Sequence, residues 1–95
     1  MIRVSVLYPS SEGSTFDHDY YRNTHVPMVS RAWGASRVEI DKGVNGPNVA
    51  AVHVFLDSME AFGAAMASPA TAEVMADVAN YTNITPVLQV SEVVE

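Results

Sequence analysis

The 95-residue sequence contains no cysteine. Disulfide bonds, thiolate metal sites and cysteine nucleophiles are therefore excluded, while a reducing compartment is allowed. Long apolar runs are missing too, and none approaches the roughly 20 residues that a membrane-spanning helix needs. The first residues, MIRVSVLY, alternate in polarity instead of forming a basic end followed by an apolar run, so no signal peptide is expected. These absences predict a cytoplasmic protein that does not bind a membrane.

Positive charge is also scarce. Five Lys and Arg residues stand against 11 Asp and Glu residues, and the net charge is −6 at pH 7. A nucleic-acid partner requires a basic face, so none is expected. No phosphate-binding loop, dinucleotide fingerprint or G-x-S-x-G turn occurs, and we expect no cofactor. The histidines lack the H-x-x-x-H or H-x-H spacing of metal sites, so we predict no metal site either.

The hydrophobic pattern predicts a single α+β domain over residues 1–95. Alternating polarity indicates three half-buried strands, and a nearly continuous apolar run indicates a central one. Two regions have the periodicity of helices. The predicted strands cover residues 2–8, 36–44, 49–56 and 86–94, and the predicted helices cover residues 17–33 and 58–80. This order is the βαββαβ pattern of ferredoxin-like folds with a four-stranded antiparallel sheet.

One face of this sheet needs a partner, because the predicted helices can cover only the other face. Its side chains mix Val and Leu with Arg, Ser and Gln, which is too apolar for water and too polar for a dry core. We therefore expect two copies to pair these faces in a two-fold homodimer that encloses a partly polar cavity.

Ionisable and aromatic side chains concentrate in one stretch, FDHDYYRNTHVPM, from Phe16 to Met28. Asp17 is the predicted N-cap of the first helix, because its carboxylate can accept hydrogen bonds from the first turn. Phe16 and Tyr21 then have the spacing of a hydrophobic staple.

Pro27 lies inside this predicted helix. Because proline lacks an N–H and restricts the residue before it, we expect the helix to break near Thr24 and Val26 to leave the helical region. A second helical piece should follow, ending at Gly34 as a left-handed cap. The break would leave a free backbone carbonyl that could hold a ring nitrogen of His25.

The stretch also resembles a known family. The pattern F-D-x-D-Y-Y-x-x-x-H-x-P-M, directly after a strand ending in L-Y-P, is similar to the EthD family, named for a protein encoded beside ether-degradation genes. The closing segment NYTNITPVLQVSEVV resembles that family's last strand. The resemblance implies a ferredoxin-like monomer that dimerises into an α+β barrel and acts on small organic compounds.

Three residues are the predicted catalytic groups. His25, with an ordinary pKa near 6.5, can exchange protons at neutral pH beside an enclosed cavity. Tyr21 can offer a phenol to an oxyanion, although plain helix packing is the simpler role. Asp17 is most simply a capping charge, and secondarily a base or the group that orients a histidine.

Five further residues are predicted ligand contacts. His53 lies in the central strand, where the pattern does not decide which face it takes, and a satisfied core histidine is the favoured interpretation. Trp33 is expected in the core or at the dimer interface, and could form a pocket wall. The full set is Tyr8, Tyr20, Met28, Trp33 and His53.

The resemblance to the EthD family and its barrel relatives implies three functions that these residues could serve. The first is cofactor-free proton transfer on a small hydrophobic or aromatic compound, of the isomerase, cyclase or dehydratase type. The second is cofactor-independent monooxygenation of an electron-rich substrate. The third is a non-catalytic binding or accessory role in an ether-degrading oxidation system. Haem binding is a weaker fourth, which would need His25 or His53 to bind the iron.

Overall fold

In the computed structural model, which describes residues 1–94, a four-stranded antiparallel sheet has the strand order β2-β3-β1-β4. The strands are β1 (Ile2–Pro9), β2 (Arg37–Lys42), β3 (Asn48–Leu56) and β4 (Val87–Glu92). The helices are α1 (His18–Tyr20), α2 (Val26–Trp33), α3 (Met59–Ala67) and α4 (Pro69–Asp77). A π-helical turn, Tyr21–His25, joins α1 to α2, and a 3-10 turn, Val78–Asn80, follows α4. The predicted ferredoxin-like α+β fold is confirmed.

The helices pack on one face of the sheet, and the core lies between them. Apolar and polar side chains alternate along β1, and successive side chains of a strand point to opposite faces, so one face of the sheet is apolar and is covered by the helices. Val4 of β1 and its partner Val54 of β3 are fully buried in this core, as expected for the two central strands. None of the helices formed by residues 1–94 has the length and hydrophobicity of a membrane-spanning segment.

The first helix begins as predicted. The Oδ1 atom of Asp17 accepts a hydrogen bond from the backbone N–H of Tyr20 at 3.1 Å, which makes Asp17 the N-cap. The rings of Phe16 and Tyr21 lie 4.9 Å apart, in the staple arrangement. At the other end Gly34 ends α2 with φ of 60°, a left-handed conformation that glycine adopts without steric cost.

The expected break before Pro27 is wrong. Val26 keeps helical angles, with φ of −64° and ψ of −41°, and its N–H donates to the carbonyl of Tyr21, five residues earlier. This π-helical turn contains one extra residue, so the chain stays helical. Pro27 then falls in the first turn of α2, where its missing N–H costs little.

Two loops are tied together beside the first helix. The backbone N–H of Asp17 donates to the carbonyl of Tyr81 at 2.8 Å. The hydroxyl of Thr82 donates to the carbonyl of Thr15 at 2.6 Å, and the side chain of Asn83 accepts from the Thr15 N–H at 2.9 Å. These bonds hold the segment after α4 against the π-helical turn, so residues from the two halves of the chain meet there.

Candidate active site

A buried histidine–carboxylate pair lies at this meeting point. The Nδ1 atom of His25 is 2.9 Å from the Oδ2 atom of Asp77, the last residue of α4. Both side chains are more than nine-tenths buried. Because an ionised carboxylate can only accept, Nδ1 carries the proton and donates it to Asp77. The expectation that a backbone carbonyl would hold His25 is therefore wrong: a carboxylate 52 residues away along the chain does so.

Asp77 is held in its ionised form. Its Oδ1 atom accepts from the hydroxyl of Tyr20 at 2.7 Å and from the side-chain amide of Asn80 at 2.9 Å, while Oδ2 accepts from His25. Burial raises the pKa of Asp77, but the hydrogen bonds from Tyr20, Asn80 and His25 outweigh it and bring the pKa below its ordinary value. The carboxylate is thus charged at neutral pH.

His25 is neutral at the same pH. Burial lowers the pKa of His25 below its ordinary value, and the opposing effect of Asp77 does not reverse this. The Nε2 atom has no hydrogen-bond partner within residues 1–94 and keeps its lone pair. The His25 ring stacks on the ring of Tyr21, with centroids 5.6 Å apart. It makes a T-shaped contact with the ring of Tyr81, with centroids 4.5 Å apart. These contacts fix the imidazole in one orientation.

His25 borders an apolar cavity of about 180 Å³. The cavity lies between the helix-covered face of the sheet and helices α2 and α4, with His25 in its wall. Other lining residues include Val6, Tyr8, Trp33, Val74, Met75 and Leu88. Dry apolar cavities of about 150 Å³ hold benzene. The site therefore has room for a ligand about the size of one six-membered ring.

This position differs from the expected one. The sequence predicts a ligand between two paired sheets, on the face that the helices leave open. His25 and the cavity lie instead on the helix side, within one copy of the chain. The reason is the position of Asp77, the partner of His25. It belongs to α4, which packs against α2 and not against the open face of the sheet.

Two predicted ligand contacts, Tyr8 and Trp33, line the cavity together with His25. Trp33 is held in place by a hydrogen bond of 3.0 Å from its Nε1 atom to the Thr71 hydroxyl. Tyr20 contributes through Asp77 and is not one of the residues in the cavity wall.

The remaining candidates on the first helix do not reach the cavity formed by residues 1–94. Asp17 is exposed and caps α1. Met28 is half-buried and packs against the core. Tyr21 is buried, packs on His25 and has a hydroxyl without a hydrogen-bond partner in the described part of the chain. That its phenol acts on the ligand stays a prediction.

His53 lies away from this site. Its Nδ1 atom is 2.8 Å from the Ser5 hydroxyl and its Nε2 atom is 2.9 Å from a carboxylate oxygen of Asp41. It pairs with Ser5 on the open face of the sheet, opposite to the face that buries Val52 and Val54. Both ring nitrogens of His53 thus have partners, as the favoured interpretation requires, but the register of β3 turns the side chain to the open face and away from the core.

Asp77, Asn80 and Tyr81 were not among the predicted site residues. A signal for Asp77 existed in the sequence. It lies three residues after Val74 and thus on the inward stripe of α4, where an acidic side chain is unusual unless it is paired. Residues 1–94 contain no group of three or more His, Cys, Asp or Glu side chains that could hold a metal ion.

Comparison with known proteins agrees with this fold. The profile of the EthD domain matches residues 13–85, a segment that includes both His25 and Asp77. The crystal structure of an EthD-like protein from Ralstonia eutropha JMP134 is 45% identical, with a TM-score of 0.90 over 99% of this chain and 92% of that one. An EthD family protein from Bacillus halodurans C-125 is 20% identical, with a TM-score of 0.78 over 98% of both chains.

A dimeric ferredoxin-like protein from Thermobifida fusca YX shares the fold at 15% identity, with a TM-score of 0.64 over 97% of this chain and 90% of that one. No curated protein matches the chain. The match of the domain profile to most of the chain, together with the 45% identity to an EthD-like protein, shows that this chain belongs to the EthD domain family.

Proposed function

We propose that the chain binds a small, largely apolar compound in the cavity and that His25 removes a proton from it without a cofactor. The reaction would be of the isomerase, cyclase or dehydratase type. One observation carries the proposal: His25 borders the cavity, and its Nδ1 atom lies 2.9 Å from a carboxylate oxygen of Asp77.

Proton removal needs a lone pair at the working pH. The lowered pKa of His25 supplies one, since the imidazole is neutral near pH 7 and Nε2 is unpaired within residues 1–94. When Nε2 takes a proton, the ring becomes positively charged, and the adjacent Asp77 carboxylate stabilises that charge. Asp77 is thus a positioning residue that also makes His25 a better base in the course of the reaction.

The apolar walls support the same assignment. A ligand that fills the cavity displaces water, and the low polarity strengthens the interaction between the protonated ring and Asp77. The size of the cavity favours a single ring over a fused system. Such a ligand fits a role in the breakdown of small organic compounds, in a cytoplasmic setting.

We further propose that the chain forms a homodimer through the open face of the sheet. Leu7 and Phe55 are only half-buried on this face, beside the polar pair of Ser5 and His53. A solvent-exposed face of this composition is suited to covering by a second copy. The dimeric ferredoxin-like protein of the same fold supports a dimer, although not a particular interface. A monomeric mass in multi-angle light scattering would contradict it.

The function is tested by a ligand-dependent melting screen against one-ring ketones, lactones, phenols and ethers, with product identified by mass spectrometry. The wild type is compared with His25→Gln, which removes the base and keeps a polar side chain of similar size. His18→Gln is the matched control, because His18 packs on Phe16 and lies outside the cavity wall.

Product formed by the wild type and His18→Gln, but not by His25→Gln, would support proton-transfer catalysis. Stabilisation of all three proteins without product would refute catalysis and favour a binding or accessory protein. A product that has gained one oxygen atom and lost two hydrogen atoms, with the second oxygen of dioxygen released as water, would favour the monooxygenase alternative, in which the same base ionises the substrate and the substrate supplies the electrons.

A further inference from the structure

Three tyrosine hydroxyls are buried beside His25 with too few acceptors. The hydroxyls of Tyr8 and Tyr81 form a hydrogen bond of 2.6 Å, in which either can be the donor. The Tyr21 hydroxyl has no partner within residues 1–94. Each hydroxyl has one proton to donate, so one bond among three hydroxyls leaves two protons without an acceptor in the described part of the chain.

Tyr8 is the member of this group that lines the cavity. When Tyr81 donates to Tyr8, the proton of Tyr8 is free for a ligand atom. Burial raises the pKa of the Tyr8 hydroxyl, and the hydrogen bond with Tyr81 lowers it without cancelling that effect. Tyr8 therefore stays protonated at neutral pH and acts as a donor. The rings of Phe16 and Tyr21 pack edge-on against Tyr8, at 5.0 and 5.4 Å, and hold it in place.

The cavity thus combines one base and one hydrogen-bond donor in apolar walls. We propose that Tyr8 binds a carbonyl oxygen of the ligand, with Tyr81 as a positioning residue, and that the substrate is a one-ring ketone or lactone with a C–H bond next to its carbonyl. This inference rests on the proposed function, since His25 is the base in both.

The step balances without an oxidant or a reductant. Nε2 of His25 takes the proton from the carbon next to the carbonyl. The electron pair of that C–H bond forms a carbon–carbon double bond, and the π electrons of the carbonyl move to its oxygen. The resulting enolate oxygen accepts a stronger hydrogen bond from Tyr8 than the carbonyl did. Return of the proton from His25 to the same carbon exchanges the hydrogen; where the ring also has a carbon–carbon double bond conjugated with the enolate, its return to the far carbon of that system moves the double bond and completes an isomerisation.

Cyclohexanone is a suitable probe, because it is one ring in size and its carbonyl is visible by infrared spectroscopy. We expect the carbonyl stretching band of cyclohexanone bound to the wild type to lie at lower frequency than in hexane, as for a hydrogen-bonded carbonyl. Tyr8→Phe should return the band to the hexane position. Tyr21→Phe, which removes a hydroxyl outside the cavity wall, should keep the lowered band.

Exchange of the hydrogens next to the carbonyl for deuterium, followed by NMR in heavy water, gives the second readout. Loss of an oxyanion donor typically lowers a rate by about 10²–10³-fold, and we expect a decrease of this order for Tyr8→Phe. Tyr81→Phe keeps the cavity wall intact and should lower the exchange rate by a smaller factor. This variant tests the proposal if Tyr8→Phe folds poorly.

The outcomes separate the two proposals. Suppose that Tyr8→Phe and Tyr81→Phe leave the band and the exchange rate unchanged, while His25→Gln loses exchange. This result would overturn the role of Tyr8 and leave the proposed function standing. Exchange reduced in both tyrosine variants would support the role of Tyr8. A wild type that neither shifts the band nor exchanges hydrogen would overturn both.

Discussion

Replacing Asp77 by Asn should change which nitrogen of His25 carries the proton. Oδ1 of Asp77 accepts from Tyr20 and Asn80, so an Asn side chain would keep its oxygen there. Its amide nitrogen would then face Nδ1 of His25 in place of the carboxylate oxygen. Two N–H donors cannot form a hydrogen bond, so the proton of His25 should move to Nε2.

The consequence for catalysis is large. With a proton on Nε2, the ring presents a donor to the cavity and no longer a base. General acid–base catalysis typically contributes about 10²–10⁴-fold to a rate, and we expect Asp77→Asn to lose about that factor in proton abstraction. The effect on stability should be modest. The buried bond to His25 loses its charge assistance, about 1 kcal/mol, or a decrease in Tm of roughly 4–8 °C for a domain of this size.

The tautomer can be measured without knowing the substrate. Nitrogen-15 NMR of labelled protein near pH 7 distinguishes a protonated from an unprotonated ring nitrogen. We expect Nδ1 to be protonated in the wild type and Nε2 in Asp77→Asn. Asp19→Asn is the matched control, because it removes an exposed carboxylate from the first turn of α1 and leaves the His25 site untouched.

Two results would refute this reasoning. One is a wild type in which Nε2 of His25 carries the proton, because Asp77 would then not set the tautomer. The other is an Asp77→Asn protein that shows the shifted tautomer and still exchanges the hydrogens of cyclohexanone at the wild-type rate, because His25 would then not be the base.

Three further predictions concern stability and binding. The pKa values of His25 and Asp77 are both lowered on folding, so the folded protein binds fewer protons than the unfolded chain. The free energy of unfolding should therefore fall as the pH decreases below 6.5, and again below 3.8, in urea titrations; His25→Gln should abolish the first decrease. Gly43→Ala should lower Tm, because the added Cβ would lie 2.1 Å from a backbone oxygen. Gly63→Ala should raise Tm, because its Cβ meets nothing within 4 Å and alanine favours the helix more than glycine does. Val78→Phe should place a ring in the cavity and abolish cyclohexanone binding, as measured by calorimetry, with Tm largely retained; unchanged binding would show that the ligand lies elsewhere.

Much of the fold could be predicted because its signals are local. The alternation in β1, the N-cap at Asp17 and the left-handed cap at Gly34 each depend on residues within a few positions of one another. The exception on the first helix is the segment before Pro27. A proline removes one hydrogen bond, but the sequence does not indicate whether the chain breaks or inserts a residue, and packing of Tyr21 and His25 accompanies the insertion here.

The sequence by itself determined the order of the elements and the half-covered sheet, and it pointed to His25 as a candidate residue. Only the tertiary structure decided which groups His25 contacts. Its partner Asp77 lies 52 residues away, and nothing in the spacing of either residue indicates that α2 and α4 bring them within 2.9 Å. The same packing put the cavity on the helix side, and the register of β3 put His53 on the open face. The pKa of a side chain depends on burial and on neighbours in space, and these are properties of the folded chain that local patterns do not contain.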